Sequence, residues 1–137
     1  YYSSGASGAT VFADSTTRHV ESGLSWKFTV QSATFVNALF PIRFPISRIA
    51  VKGGTEYRAA IWTRRTHTGA VGTFRCRGGQ LAGIPNDVTA SSAGLIDTWE
   101  QLVLTFTPTI TGVIDLDFSM YGPASEDVYI HDFTVST

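Results

Sequence analysis

Residues 98–135 alternate apolar and polar side chains so regularly that they constrain the fold more than any other part of the chain. Leu102, Leu104 and Phe106 fall on one side of a first strand. Ile114, Leu116, Phe118 and Met120 fall on one side of a second, with Asp115, Asp117 and Ser119 on the other. A third strand covers residues 128–135. Successive side chains in a strand point to opposite faces, so a period of two over such lengths means a sheet with one buried face and one wet face. The turns between these strands carry no cluster of groups suited to catalysis. The stretch predicts a scaffold that presents a surface, not one that encloses a reaction.

Earlier segments extend the pattern. Residues 11–13 predict a short strand. After a Ser22-Gly23 turn, Leu24, Trp26, Phe28 and Val30 alternate with Ser25, Lys27, Thr29 and Gln31, which assigns Trp26 to the core. Phe40, Ile42, Phe44 and Ile46 alternate around Pro41 and Pro45. Proline has no N–H to donate to a ladder, so this strand belongs on an edge or carries a bulge. Residues 49–51 lead into a Gly53-Gly54 turn. In the next strand Tyr57, Ala59 and Ile61 share one face, while Arg58, Ala60, Trp62 and Arg64 share the other. A loop over 66–72, a strand over 71–77 and a long irregular connection over 78–94, with one short strand near Val88, follow. There is no sustained helical period and no repeat. Eight or nine strands at this spacing predict an all-β protein, an antiparallel β-sandwich or jelly roll. At 137 residues it is a single domain over 11–137, preceded by a Ser/Gly/Ala-rich linker or edge segment over 1–10.

Composition narrows the function. Charged residues are 15% of the chain, against about 25% in ordinary soluble domains. Together with the abundant Ser, Thr and Gly, this suits an exported or assembled protein better than a crowded cytosolic enzyme. A net charge of -1 excludes a general nucleic-acid binder. No apolar run approaches the roughly 20 residues of a membrane span, so membrane insertion is not expected. The lone Cys76 excludes an internal disulfide and a cysteine metal centre, and its alternation places it inward with Phe74 as an inert thiol. His19, His67 and His131 lack metal-ligand spacing. No nucleophile elbow, phosphate loop or H-E-x-x-H is present. Asp115 and Asp117 lie about 7 Å apart by strand rise, within the range of glycosidase carboxyl pairs. They sit on one strand, however, where a glycosidase sets its pair on different elements around a cleft. The chain is expected not to be an enzyme.

Four segments carry a family resemblance. HVESGLSWKFTV (residues 19–30), VKGGTEYRAAIWTRR (51–65), TWEQLVLTFTPTITG (98–112) and DVYIHDFTV (127–135) resemble, in order and spacing, segments of carbohydrate-binding modules of the family 4, 9 and 22 type. Similar β-jelly rolls occur in phage and bacterial surface proteins. The resemblance implies a jelly roll and a non-catalytic glycan-binding or adhesion role. The alternative is a structural or decoration subunit of a virion or surface assembly, whose partners are neighbouring protein chains and which forms oligomers. The family's opening strand, with its Asn-Gly and Trp, is not recognisable. In many relatives an acid near the end of the closing strand helps to hold a structural calcium. His131 stands at that position here, which weighs against the ion, because calcium prefers oxygen ligands. No cofactor is expected.

A sugar-binding surface needs an aromatic platform for ring faces and polar side chains for hydroxyls. Trp62, flanked by Arg58 and Arg64 and joined by Gln101, is the leading candidate. The opposite phase of the same strand puts Trp62 in the core. Tyr121, in a Tyr-Gly-Pro turn, is a candidate for the loop end. Trp99 is expected to close the end of the sandwich. If the strands 57–64 and 71–77 pair, Arg58, Arg64, Arg75 and Arg77 share one face, matched internally by Asp115 and Asp117 or externally by an acidic ligand or partner chain.

Overall fold

The computed structural model describes residues 2–3, 9–14, 16–17, 25–30, 42–77, 83–123 and 125–137. Leu24, Phe40, Pro41, the Ser22-Gly23 turn and the Gly78-Gly79 pair lie outside these residues.

Ten strands are present among the described residues: β1 (Tyr2–Ser3), β2 (Ala9–Asp14), β3 (Ser25–Val30), β4 (Ile42–Val51), β5 (Tyr57–Arg65), β6 (Val71–Cys76), β7 (Val88–Ser91), β8 (Glu100–Phe106), β9 (Gly112–Tyr121) and β10 (Asp127–Ser136). They form two antiparallel sheets. One is six-stranded, in the order β1-β2-β3-β10-β5-β8, and the other four-stranded, in the order β4-β9-β6-β7. The fold is all-β, a β-jelly roll. Segments β1 and β2, partly inside the expected lead segment, pair with each other and β2 continues onto β3.

The alternation sets which residues face the core. Phe28 on β3, Ala59 and Ile61 on β5, Leu102, Leu104 and Phe106 on β8, and Val128 and Ile130 on β10 point inward from the six-stranded sheet. Phe74 and Cys76 on β6 and Ile114, Leu116, Phe118 and Met120 on β9 meet them from the other. Phe28 and Phe118, both fully buried, touch across the sandwich with ring centroids 5.4 Å apart. Each such ring contributes about 1.5–3 kcal/mol by leaving water. Gly72 makes room for this contact. A Cβ there would overlap Phe118 Cζ and lie 3.1 Å from Val128 Cγ1.

Proline acts on β4 in both of the ways open to it. The strand lies on the edge of the four-stranded sheet, and its register against β9 shifts between Pro45 and Ser47. At the Gly53-Gly54 turn, Gly54 takes φ +83°, and its N–H donates to Pro108 O at 2.8 Å. That conformation costs glycine little.

One irregularity positions the surface described next. On β10, His131 pairs with Trp62 and Thr134 with Ala60, so the strand carries one more residue than its partner. The extra residue is a β-bulge, with Asp132 at φ +60°. Without it, His131 and Phe133 would face the same way. With it, His131 stays on the outer face while Phe133 turns into the core, edge-on to Phe74 at 6.0 Å.

Candidate functional site

The outward face of the six-stranded sheet gathers most of the candidate residues. β5 lies between β10 and β8, with Ala59, Ile61 and Thr63 buried on its inner side. Arg58, Ala60, Trp62 and Arg64 therefore face outward, which resolves the two possible phases of this strand. Trp62 has His131 opposite on β10 and Gln101 opposite on β8. Directly opposite residues bring their Cβ atoms to about 5 Å, so these three side chains form one row. The adjacent row runs Lys27, Tyr129 and Arg64 across β3, β10 and β5. Trp62 and Arg64 are half-buried; Arg58 and Gln101 are exposed.

Trp99 joins this face rather than closing the sandwich end. It precedes β8, is half-buried, and its ring packs against that of His131 at 6.5 Å with the planes inclined by 51°. His131 is 8% exposed, so its imidazole is packed against neighbours such as Trp99 rather than solvated. Trp99 comes straight after a loop, so its side of the sheet is weakly marked by alternation alone. Its place depends on β8 pairing with β5.

The loop before Trp99 is held firmly. Both Glu100 carboxylate oxygens accept from the Ala93 and Gly94 N–H groups at 3.0–3.4 Å. The buried Arg65 guanidinium donates to Gly94 O at 2.7 Å and to Thr68 O at 3.0 Å. The loop tip leaves Leu95 and Ile96 exposed beside Trp99.

Electrostatics on this face are loosely knit. Arg58 Nη2 donates to Gln101 Oε1 at 3.3 Å. Arg64 Nη2 lies 3.8 Å from the exposed Asp97 carboxylate. Lys27 sits 3.6 Å from Asp127 and 5.9 Å from the centre of the Tyr129 ring. Partial burial works against its charge, but Asp127 and Tyr129 outweigh that and raise its pKa.

The four-stranded sheet differs, and it corrects the expected arginine quartet. β5 and β6 lie in different sheets, so Arg75 does not share a face with Arg58 and Arg64. Arg75 instead holds Asp117 through two bonds, Nε at 2.9 Å and Nη2 at 2.5 Å, and Asp87 at 3.4 Å. Arg48 holds Asp115 in the same two-point way at 2.7 and 3.2 Å. That bond, above all, holds the Asp115 carboxyl below its ordinary pKa. The acids once weighed as a catalytic pair are thus each bound to an arginine. Tyr121 ends β9, in the four-stranded sheet, and so is separated from the Trp62 group. Trp26 points to the core side of β3, opposite Ile130, yet is 37% exposed. Alternation fixes the side of a sheet but not how far the facing sheet extends over it. Among the described residues, no three His, Cys, Asp or Glu side chains converge as a metal ion would require. Nor is any described helix long and apolar enough to cross a membrane.

The fold defines a class: a β-jelly roll of the carbohydrate-binding-module type. A family 16 carbohydrate-binding module shares it with a TM-score of 0.61 at 16% identity, covering 95% of this chain and 87% of its own. A CBM4 structure gives 0.60 at 19% identity, over 97% and 80% of the two chains. The CBM22-2 xylan-binding domain from Paenibacillus barcinonensis gives 0.55 at 14% identity, over 94% and 87%. At these identities the likeness is one of fold. No family model matches the sequence, and no curated protein does. None of the three structures is a virion or decoration protein, so that reading gains nothing from them.

Proposed function

We propose that this chain is a non-catalytic glycan-binding module acting outside the cell, and that it binds through the outward face of the six-stranded sheet. The observation that carries the reading is the row of Trp62 between His131 and Gln101, with Trp99 against His131. Two indoles on a sheet face supply apolar surface for the C–H faces of sugar rings. Gln101, Arg58 and Arg64 supply donors and an acceptor for hydroxyls around them. Neighbours of the same fold include structures named for xylan binding and for a complex with β-1,4-galactotriose, which makes these glycans the first probes. The low charged fraction supports an exported location.

Isothermal titration and affinity gels with xylan, β-1,4-galactan and soluble β-glucans test the proposal. Binding to at least one polymer should weaken at least tenfold in Trp62→Ala, while the urea midpoint stays near that of the parent. A truncated anchor of this size typically costs 2 kcal/mol or more. Equal binding by parent and variant would remove this face as the site.

A further inference from the structure

We propose that the aromatic face selects glycans bearing carboxylates, with Arg58 and Arg64 as the residues that read the acid. This rests on the glycan-binding reading above and names its ligand class.

The two sheets use their arginines differently. Arg48 and Arg75, on the four-stranded sheet, each grip an aspartate with two hydrogen bonds between 2.5 and 3.2 Å. Their fork-shaped donor sets are spent inside the protein. Arg58 makes one 3.3 Å bond to a neutral amide oxygen and forms no ion pair among the described residues. Arg64 has a single 3.8 Å approach to Asp97, whose side chain is 57% exposed and so readily exchanged for another anion. The other acids near this face are committed. Asp127 accepts from Thr29 Oγ1 at 2.5 Å and pairs with Lys27, and the Glu100 carboxylate is bound to the Ala93 and Gly94 N–H groups. Asp132, on the bulge, is exposed.

A planar guanidinium with unspent parallel donors fits a carboxylate through two bonds, stronger and more directional than bonds to a hydroxyl. Arg58 and Arg64 are six positions apart on one strand face, about 20 Å by strand rise, with Trp62 between them. An extended polysaccharide lying along β5 would cross the indole and present acids to a guanidinium at either end. A neutral glycan would leave both arginines with only hydroxyl partners.

The test uses matched polymers: polygalacturonate, alginate and glucuronoxylan, each beside its carboxyl-reduced form, titrated at 50 and 500 mM NaCl. At least one acidic polymer should bind about tenfold more tightly than its reduced partner, with the preference shrinking at high salt. Arg58→Gln and Arg64→Gln should each remove most of that preference, weakening binding of the acidic form far more than that of the reduced form. Arg48→Gln, on the opposite face, should have no effect. Acidic and reduced forms bound equally, with Trp62→Ala weakening both, would overturn acid selection and leave the glycan reading standing. A preference lost equally in Arg48→Gln would show a diffuse charge effect and overturn the assignment. Binding to none of these polymers, nor to the neutral panel, would remove both readings.

Discussion

Gly72 leaves the space that the buried Phe118 ring occupies, and substituting it tests whether that packing is rigid. In Gly72→Ala the new methyl would overlap Phe118 Cζ and lie 3.1 Å from both Phe118 Cε1 and Val128 Cγ1. Phe118 has no solvent to retreat into and packs on Phe28 at 5.4 Å. Overpacking of this kind costs about 1–3 kcal/mol. Restricting the unfolded chain returns about 0.4–1 kcal/mol. A net loss of about 1–2 kcal/mol follows, read as a lower urea midpoint at unchanged slope. Phe118→Leu alone should cost about 1–1.5 kcal/mol, the range for hydrophobic swaps that keep most of the volume. It also deletes the atom with which the methyl collides. The double variant should therefore lose only about 1–1.5 kcal/mol, well short of the sum. Independent sites add to within about 0.5 kcal/mol. An additive double variant, or a Gly72→Ala protein as stable as the parent, would refute the claim that the ring and the glycine share one space.

Two further outcomes concern the four-stranded sheet. Asp117→Asn should destabilise the fold by about 2 kcal/mol by chemical denaturation, because it replaces the two-point carboxylate on the largely buried Arg75 guanidinium with one neutral acceptor and leaves Asp87, at 3.4 Å, as its anionic partner among the described residues; a change under 0.5 kcal/mol would show the pair to be idle. Burial, aided by Asp87 and Asp117, pushes the Cys76 thiol from 9.0 up to about 11, so the folded protein keeps a proton that the unfolded chain loses near pH 9. Its contribution is complete below that pH and falls as pH rises toward about 11, a loss of about 2–3 kcal/mol. The stability gap between parent and Cys76→Ala should narrow by that amount over this window, and parallel curves would contradict it.

How much of this could be read in the sequence depended on whether the answer was local. The phase of β5 had a local clue, though both phases stayed open until the pairing was known. Arginines at 58 and 64 flank Trp62 at even spacing, and burying that side would have buried two guanidinium groups with it. The proline-bearing strand was local too, since a missing N–H cannot be supplied from elsewhere. The arginine quartet failed because it needed a pairing. Consecutive strands are often neighbours, but here the chain crosses the sandwich between Arg65 and Val71, and β5 takes β10 and β8 as partners instead. Trp99 was hidden for the same reason. The bulge on β10, by contrast, left a readable trace. Apolar residues fall at Val128 and Ile130, then at Phe133 and Val135, and the break in phase marks where one extra residue must be absorbed.

That phase break ties the fold to the proposed site. A strand continuing in strict alternation would have to choose between a buried Phe133 and an outward His131. The left-handed Asp132 allows both, at a cost of order 1 kcal/mol for a non-glycine residue. Core packing alone would be served as well by an unbulged strand with an apolar residue at 132. The bulge instead keeps His131 outward, opposite Trp62 and against the Trp99 ring, while the core below it shifts phase. Strained backbone is retained where surrounding contacts over-determine it, and bulges often re-aim side chains beside functional sites. Their coincidence beside the aromatic row is an argument from the backbone, independent of side-chain chemistry, for testing the proposed face ahead of the ion-paired one.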